Sequence, residues 1–384
     1  MKLFLPIIGL SLMGAGFLGK DQSSEVTVII SGGARGHLSP CGCTSPMSGG
    51  FKRLATVIRQ EKSKGEVVWI DTGDITDAPG RQTQMKVETY SELMSELGID
   101  AIAYTSQDQK QGFGVISAGV SITRKKWLTS NPDPTPQTII EETVKGISVS
   151  AASDLSLSLD AERPTDIVLF DGGVSHLGEL KKPHQIAVFS SEGIPTINGT
   201  HMSPGSNLRG VIVATFRDNR LVNARVEILE AIIKEDKGAD TIYRNYLKRV
   251  TDERLIDKVS RDSDEDFAGS KNCRSCHGKI YEQFTKTKHF GAYQSLEHQG
   301  HQADPDCVSC HTVGLNSTRG FVYQKTPALA QVGCESCHGG GRAHARNPKG
   351  VRLPKVTEQK CITCHTPSNS PTFNFQTYWK KIKH

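Results

Sequence analysis

Eight of the 10 cysteines fall into four copies of Cys-x-x-Cys-His. The copies are Cys273/Cys276/His277, Cys307/Cys310/His311, Cys334/Cys337/His338 and Cys361/Cys364/His365. Two thiols three positions apart can add to the two vinyl groups of one haem, and the adjacent histidine then lies under the iron as its proximal ligand. The chain's own Cys and His frequencies give roughly 0.01 copies by chance. Zinc or redox Cys-x-x-Cys chemistry would not require a histidine after every pair. The spacing therefore points to four covalently attached haem c groups held by these cysteines, with His277, His311, His338 and His365 on the irons.

A second histidine on the other haem face gives a low-spin centre suited to electron transfer, and an open face gives a site for substrate chemistry. Five further histidines lie in the same region and are the distal candidates: His289, His298, His301, His344 and His384. Several stretches here carry a specific resemblance. They are Lys288-His289-Phe-Gly-Ala-Tyr-Gln-Ser-Leu, Asp306-Cys-Val-Ser-Cys-His311-Thr, Val332-Gly-Cys-Glu-Ser-Cys-His338-Gly-Gly-Gly-Arg-Ala-His344 and the closing Phe373-x-Phe-x-x-Tyr-Trp-x-x-Ile-x-His384. Residues 270–384 resemble the tetrahaem cytochrome c-554 family, whose members carry electrons in respiratory chains. The resemblance implies that His289, His344 and His384 are distal ligands. It also implies a five-coordinate haem at the second motif, here that of His311. His298 and His301 depart from the family pattern. Either could cap that iron, so its coordination stays open at this point.

Composition agrees with a haem-built domain. Residues 269–384 contain 18 Leu, Ile, Val and Phe in 116 positions. Composition that poor normally argues disorder unless something other than side chains forms the core. The same stretch has 16 Lys/Arg against 6 Asp/Glu, whereas the whole chain is only +5. About eight haem propionates would absorb that excess. Basic residues do not alternate with aromatic ones, so no nucleic-acid partner is expected.

The first part of the chain reads differently. Strand-like runs at 26–33, 66–72, 99–104, 167–170 and 186–189 alternate with helical spacing at 50–64 and 83–97. Two further runs, 210–216 and 221–228, flank a hairpin signal. Val26-Thr-Val-Ile-Ile, Trp69-Ile-Asp-Thr-Gly73-Asp74 and Gly98-Ile-Asp-Ala-Ile-Ala resemble the periplasmic 5′-nucleotidase branch of the metallophosphoesterases. That family holds two metal ions with Asp, His and Asn at strand ends. Its Asp-x-His is Gly33-Ala34-Arg35 here, and its Gly-Asn-His-Glu is Thr105-Ser106-Gln107-Asp108. Asp74 and His176 alone keep the pattern, so a working phosphatase is not expected. Pro40-Cys41-Gly42-Cys43 resembles a Pro-Cys-Gly-Cys subgroup of nucleotidase-like exported proteins. It places two thiols one residue apart, suited to redox or soft-metal chemistry.

The expected organisation has four parts. Residues 1–20 form a signal peptide or N-terminal anchor. Residues 25–230 form a degenerate 5′-nucleotidase-like α/β layered sandwich of metallophosphoesterase type. Residues 231–267 form a helical connector with an exposed acidic linker at 262–266. Residues 268–384 form a mainly α, loop-rich multihaem cytochrome c domain. The functional expectation is a periplasmic or otherwise exported electron carrier serving redox partners of a respiratory chain, with membrane association through the N-terminus. The alternative is a haem enzyme acting on a small nitrogen or sulfur compound at an open iron.

Overall fold

The computed structural model describes residues 25–40, 47–76, 78–125, 127–129, 140–152, 166–170, 185–189 and 191–384. The N-terminal segment, Cys41, Cys43 and His176 lie outside the described residues.

Two six-stranded sheets carry the first domain. In the first sheet the order is Arg220–Ile228, Gly210–Arg217, Glu25–Ser31, Val67–Asp71, Ala101–Tyr104, Trp127–Thr129. The last four run parallel and the hairpin joins antiparallel. The second sheet runs Ile140–Val144, Ile147–Ala152, Ile167–Phe170, Ile186–Phe189, His201–Ser203, Thr196–Asn198.

Side-chain alternation sorts each strand between two cores. Val28, Ile30, Val68 and Ile70 face Val149, Leu169 and Val188 of the second sheet. Ile29, Val67 and Trp69 point the other way, onto the helices Phe51–Lys62, Arg81–Leu97 and Lys237–Asp252. The result is the layered α/β sandwich expected, with the parallel strands delivering Ser31, Asp71 and Tyr104 to one sheet end. The hairpin closes in two residues, Asp218 and Asn219, at φ 49° and 58°. Both angles suit a type I′ turn, which Asn and Asp tolerate.

The acidic stretch 262–266 is exposed at Asp262, Asp264 and Glu265, as expected, but it is not a bare linker. Ser263–Asp266 is a strand, paired in parallel with Ser317–Arg319. Its charge is met from far along the chain, with Asp266 at 3.0 Å from Arg342 and 3.5 Å from Arg319. The helix Lys237–Asp252 also does more than connect. Tyr243, Tyr246, Leu247 and Val250 are buried in the first domain's outer core.

The second domain is short helices and loops around one small apolar cluster, which includes Ile256, Phe267, Tyr293 and Phe321. Among the described residues, no helix is long and apolar enough to cross a membrane.

Candidate haem centres

Each attachment motif is one helical turn. His277 N–H donates to the Cys273 carbonyl at 2.9 Å, and His365 N–H to that of Cys361 at 2.9 Å. The second and third motifs end the helices Pro305–His311 and Cys334–His338. Residues i, i+3 and i+4 share a helix face, so both thiols and the imidazole of each motif address one object.

The eight motif cysteines form no disulfides, and they are not equally enclosed. Seven are half-buried, whereas Cys276 is exposed. Spacing alone treats the two thiols of a motif alike, and the difference between them is visible only in the fold. Its physical reason is local. The helix Ser270–Cys273 ends before Cys276, which follows in a turn beside the exposed Ser275, whose hydroxyl is 3.9 Å from the Cys276 sulfur. Cys273 has the Cys334 thiol within reach as cover. At the first motif, therefore, one thiol lies inside the domain and the other at its edge.

The histidine pairing is the main geometric result. His277 faces His344 with ring centres 6.4 Å apart and planes 28° from parallel. His365 faces His289 at 6.1 Å, and His338 faces His384 at 5.8 Å. Two imidazoles sharing one metal, each nitrogen about 2 Å from it, have ring centres about 6 Å apart. Three proximal histidines therefore meet three distal candidates at the spacing an intervening iron needs. Each partner comes from a different attachment segment. His289 follows the first motif yet faces the fourth, and His344 follows the third yet faces the first.

The second nitrogen of several rings is already committed. His311 Nδ1 lies 2.7 Å from the Ala292 carbonyl, and His344 Nδ1 lies 2.7 Å from that of Val351. His338 bonds the Pro354 carbonyl. A carbonyl can only accept, so in His311 and His344 the proton sits on Nδ1 and Nε2 keeps its lone pair for a metal. Burial holds His289, His311, His338 and His365 below the usual imidazole range. That favours the neutral form a metal ligand requires.

The motifs also pair with each other. Cys273 and Cys334 are within hydrogen-bonding reach, as are Cys310 and Cys364. The first attachment site thus adjoins the third, and the second adjoins the fourth. An open cavity of about 500 Å³ lies against His344, lined also by Pro348, Lys349, Arg352 and Leu353. That volume and the two cations suit a tetrapyrrole carrying propionates. These residues fit covalently held haem.

The two remaining distal candidates are placed differently. His298 is exposed near the end of the helix Ala292–Gln299. His301 is buried, with Nδ1 at 3.6 Å from Cys307 Sγ and 3.7 Å from Asp304. Its Nε2 lies 3.5 Å from the Tyr243 hydroxyl.

Glu335, between the third motif's cysteines, carried no expectation from sequence. Its buried carboxylate accepts from the N–H groups of Ala268, Gly269 and Gly341 at 2.7, 2.7 and 2.8 Å. It ties the start of the domain to the loop leading to His344. Glu335→Ala should strand those donors and cost about 3 kcal/mol, read as a lower denaturant midpoint of the haem absorbance. Glu335→Gln, which keeps one acceptor, should lose less.

At the strand ends of the first domain the carboxylates are used by the protein itself. Asp71 accepts from Ser31 Oγ at 2.7 Å, Tyr90 Oη at 2.8 Å and Gly73 N at 3.0 Å. Asp108 accepts from Asp74 N and Ile75 N, both at 2.9 Å, and caps its own turn through Thr105. Asp74 takes the Thr105 hydroxyl at 2.8 Å and lies 3.7 Å from Arg35. A guanidinium thus stands beside the carboxylate that keeps the metallophosphoesterase pattern. Among the described residues, the one grouping of three His, Cys, Asp or Glu with metal-ligand proximity is His301, Asp304 and Cys307. The described strand-end residues do not fit a dimetal phosphoesterase centre.

Asp108 has a pH consequence. Burial, then the charge of Asp74, pushes its carboxyl up to about 7 from 3.8. Between those values the folded chain binds more protons than the unfolded one, so stability falls as pH rises from about 4 to about 7, by up to about 4 kcal/mol. Asp108→Asn should flatten that slope in thermal unfolding followed by fluorescence of Trp69 and Trp127.

Residues 272–339 match the family described as "Cytochrome c554 and c-prime". No curated protein matches the chain. Similar solved structures include Thermus thermophilus sulfate thiohydrolase SoxB in complex with glycerol, at 11% identity and TM-score 0.43, covering 59% of this chain and 61% of that one. A 5′-nucleotidase precursor from Thermus thermophilus has 14% identity and TM-score 0.46, covering 63% and 62%. The calcineurin-like phosphoesterase YfkN from Bacillus subtilis has 11% identity and TM-score 0.45, covering 59% and 98%. The chain spans about three fifths of the length of the first two. The C-terminal half resembles the cytochrome c-554 family and the N-terminal half the 5′-nucleotidase-like proteins.

Proposed function

We propose that this chain is an exported tetrahaem c-type cytochrome that passes electrons through closely spaced haems to redox partners of a respiratory chain. The observation that carries this reading is the facing of His277 with His344, His365 with His289, and His338 with His384 at 5.8–6.4 Å. Bound haem c supplies a one-electron ferric/ferrous couple.

The chain's own residues do the rest. Thioether bonds from the eight motif cysteines would tether each haem at two points. His277, His338 and His365 with their facing histidines would hold three of the irons in both oxidation states, which would keep rearrangement during transfer small. The contacts Cys273–Cys334 and Cys310–Cys364 support two close pairs of attachment sites. The basic surface of residues 269–384 would balance propionate charge. The first domain, with its strand-end carboxylates engaged, would serve as a docking or thiol-redox module.

Spectroscopy of the oxidised protein tests the assignment. Low-spin bis-histidine signals are expected for the haems of His277, His338 and His365. A ferric high-spin signal that moves on addition of cyanide or nitric oxide would favour a haem enzyme instead. Absence of any c-type spectrum would remove both readings.

A further inference from the structure

The first domain reaches the second at the attachment segment of the Cys307/Cys310 motif. Gln82 Nε2 donates to Asp304 Oδ1 at 2.7 Å and to the Tyr246 hydroxyl at 2.9 Å. Lys86 pairs with Asp306. Asp304 is the N-cap of the helix Pro305–His311 that carries this motif, and it takes the Asp306 N–H at 3.1 Å. Two residues of the first domain's helix Arg81–Leu97 thus hold the start of the attachment helix.

Tyr243 goes deeper. It is buried in the first domain's core between Phe51 and Tyr246, at ring separations of 5.6 and 5.8 Å. Its hydroxyl lies 3.5 Å from His301 Nε2, and the two rings are 5.6 Å apart. A phenol donating to Nε2 leaves the His301 proton on Nδ1. Nδ1 faces the Cys307 sulfur at 3.6 Å and Asp304 at 3.7 Å. The line Tyr243–His301–Cys307 therefore runs from the core of one domain to the thioether position of the other.

We infer that Tyr243 and His301 are positioning residues through which the first domain sets the potential of the haem attached at Cys307 and Cys310. This rests on haem attachment as proposed above. A donor held against the thioether sulfur withdraws electron density from the porphyrin edge and favours the ferrous state. The tyrosine fixes the tautomer that makes His301 that donor. Any partner or ligand that shifts the helix Lys237–Asp252 would then act on one haem of the four. His301 is thereby given a task other than ligation.

The test uses the full-length haem-loaded protein. Tyr243→Phe removes one oxygen and keeps the aromatic packing. Redox titration followed in the Soret band should show one of four midpoint potentials moved downward and three unmoved. His301→Gln should move the same potential, with every low-spin EPR signal kept. Four unmoved potentials in both variants would overturn the inference. So would loss of a low-spin signal in His301→Gln, because His301 would then be an iron ligand. Neither result touches the count of attached haems. A colourless wild-type protein would instead remove the proposed function itself.

Discussion

Replacing His289, His344 or His384 with alanine, one at a time, is expected to convert one low-spin haem to high spin. The affected haem differs in each case. His289→Ala should act on the haem of His365, His344→Ala on that of His277 and His384→Ala on that of His338. The potential of that haem should rise, because a lost imidazole donor destabilises the ferric state. The freed face should bind cyanide, which the wild-type centre at the same position would not.

The pairing adds a structural effect. On the proposed assignment the three distal histidines would bridge attachment segments far apart in sequence, His289 to His365 and His344 to His277 among them. Removing one opens a cross-link as well as a coordination site. Loss of His344 should be the more damaging, because its Nδ1 bond to Val351 also orders the loop holding Lys349 and Arg352. EPR of the ferric variants together with cyanide titration reads both effects. Variants that keep all low-spin signals would show that the ring pairs are packing contacts only.

The second large effect is on folding. The apolar cluster of residues 256–329 has nine buried members, and residues 269–384 contain only 18 Leu, Ile, Val and Phe. Ordering each residue costs about 1–2 kcal/mol, and a cluster that small leaves the domain dependent on the rings it wraps. The half-buried Phe375 and Trp379 of the last helix, stacked at 5.8 Å, fit the same account as side chains suited to a haem face. A chain with all eight motif cysteines changed to serine should therefore keep the first domain and lose the second. Limited proteolysis is expected to trim it to a core ending near residue 260, with residues 269–384 degraded. Survival of those residues as a protected fragment would show a core independent of haem.

Much of this was legible in the chain itself, for identifiable reasons. Strand runs such as Ile167–Phe170 and Ile186–Phe189 stand out because strands buried on both faces are continuously apolar. Attachment motifs are legible because they are local, with all three functional atoms on one turn. The exposure of Cys276 was not, since it depends on where a four-residue helix stops and on what packs over the turn. Distal pairing is not local either. Nothing within twelve residues of His277 tells that His289 belongs to His365, since the fold's crossings set that partner. The acidic run 262–266 read as a solvated linker because its balancing charges, Arg319 and Arg342, are over fifty residues away. Asp108, Glu335 and Tyr243 escaped for a related reason. A buried polar residue looks like a surface one until its donors converge. Glu335 alone offered a signal, as a charge between two attachment cysteines.

The most direct measurement is the intact mass of the purified protein, taken with its haemochrome spectrum. Four haem masses added to the polypeptide, resistant to acid-acetone extraction, are the predicted result. A bare polypeptide mass, or haem that extracts freely, would contradict the account at its foundation.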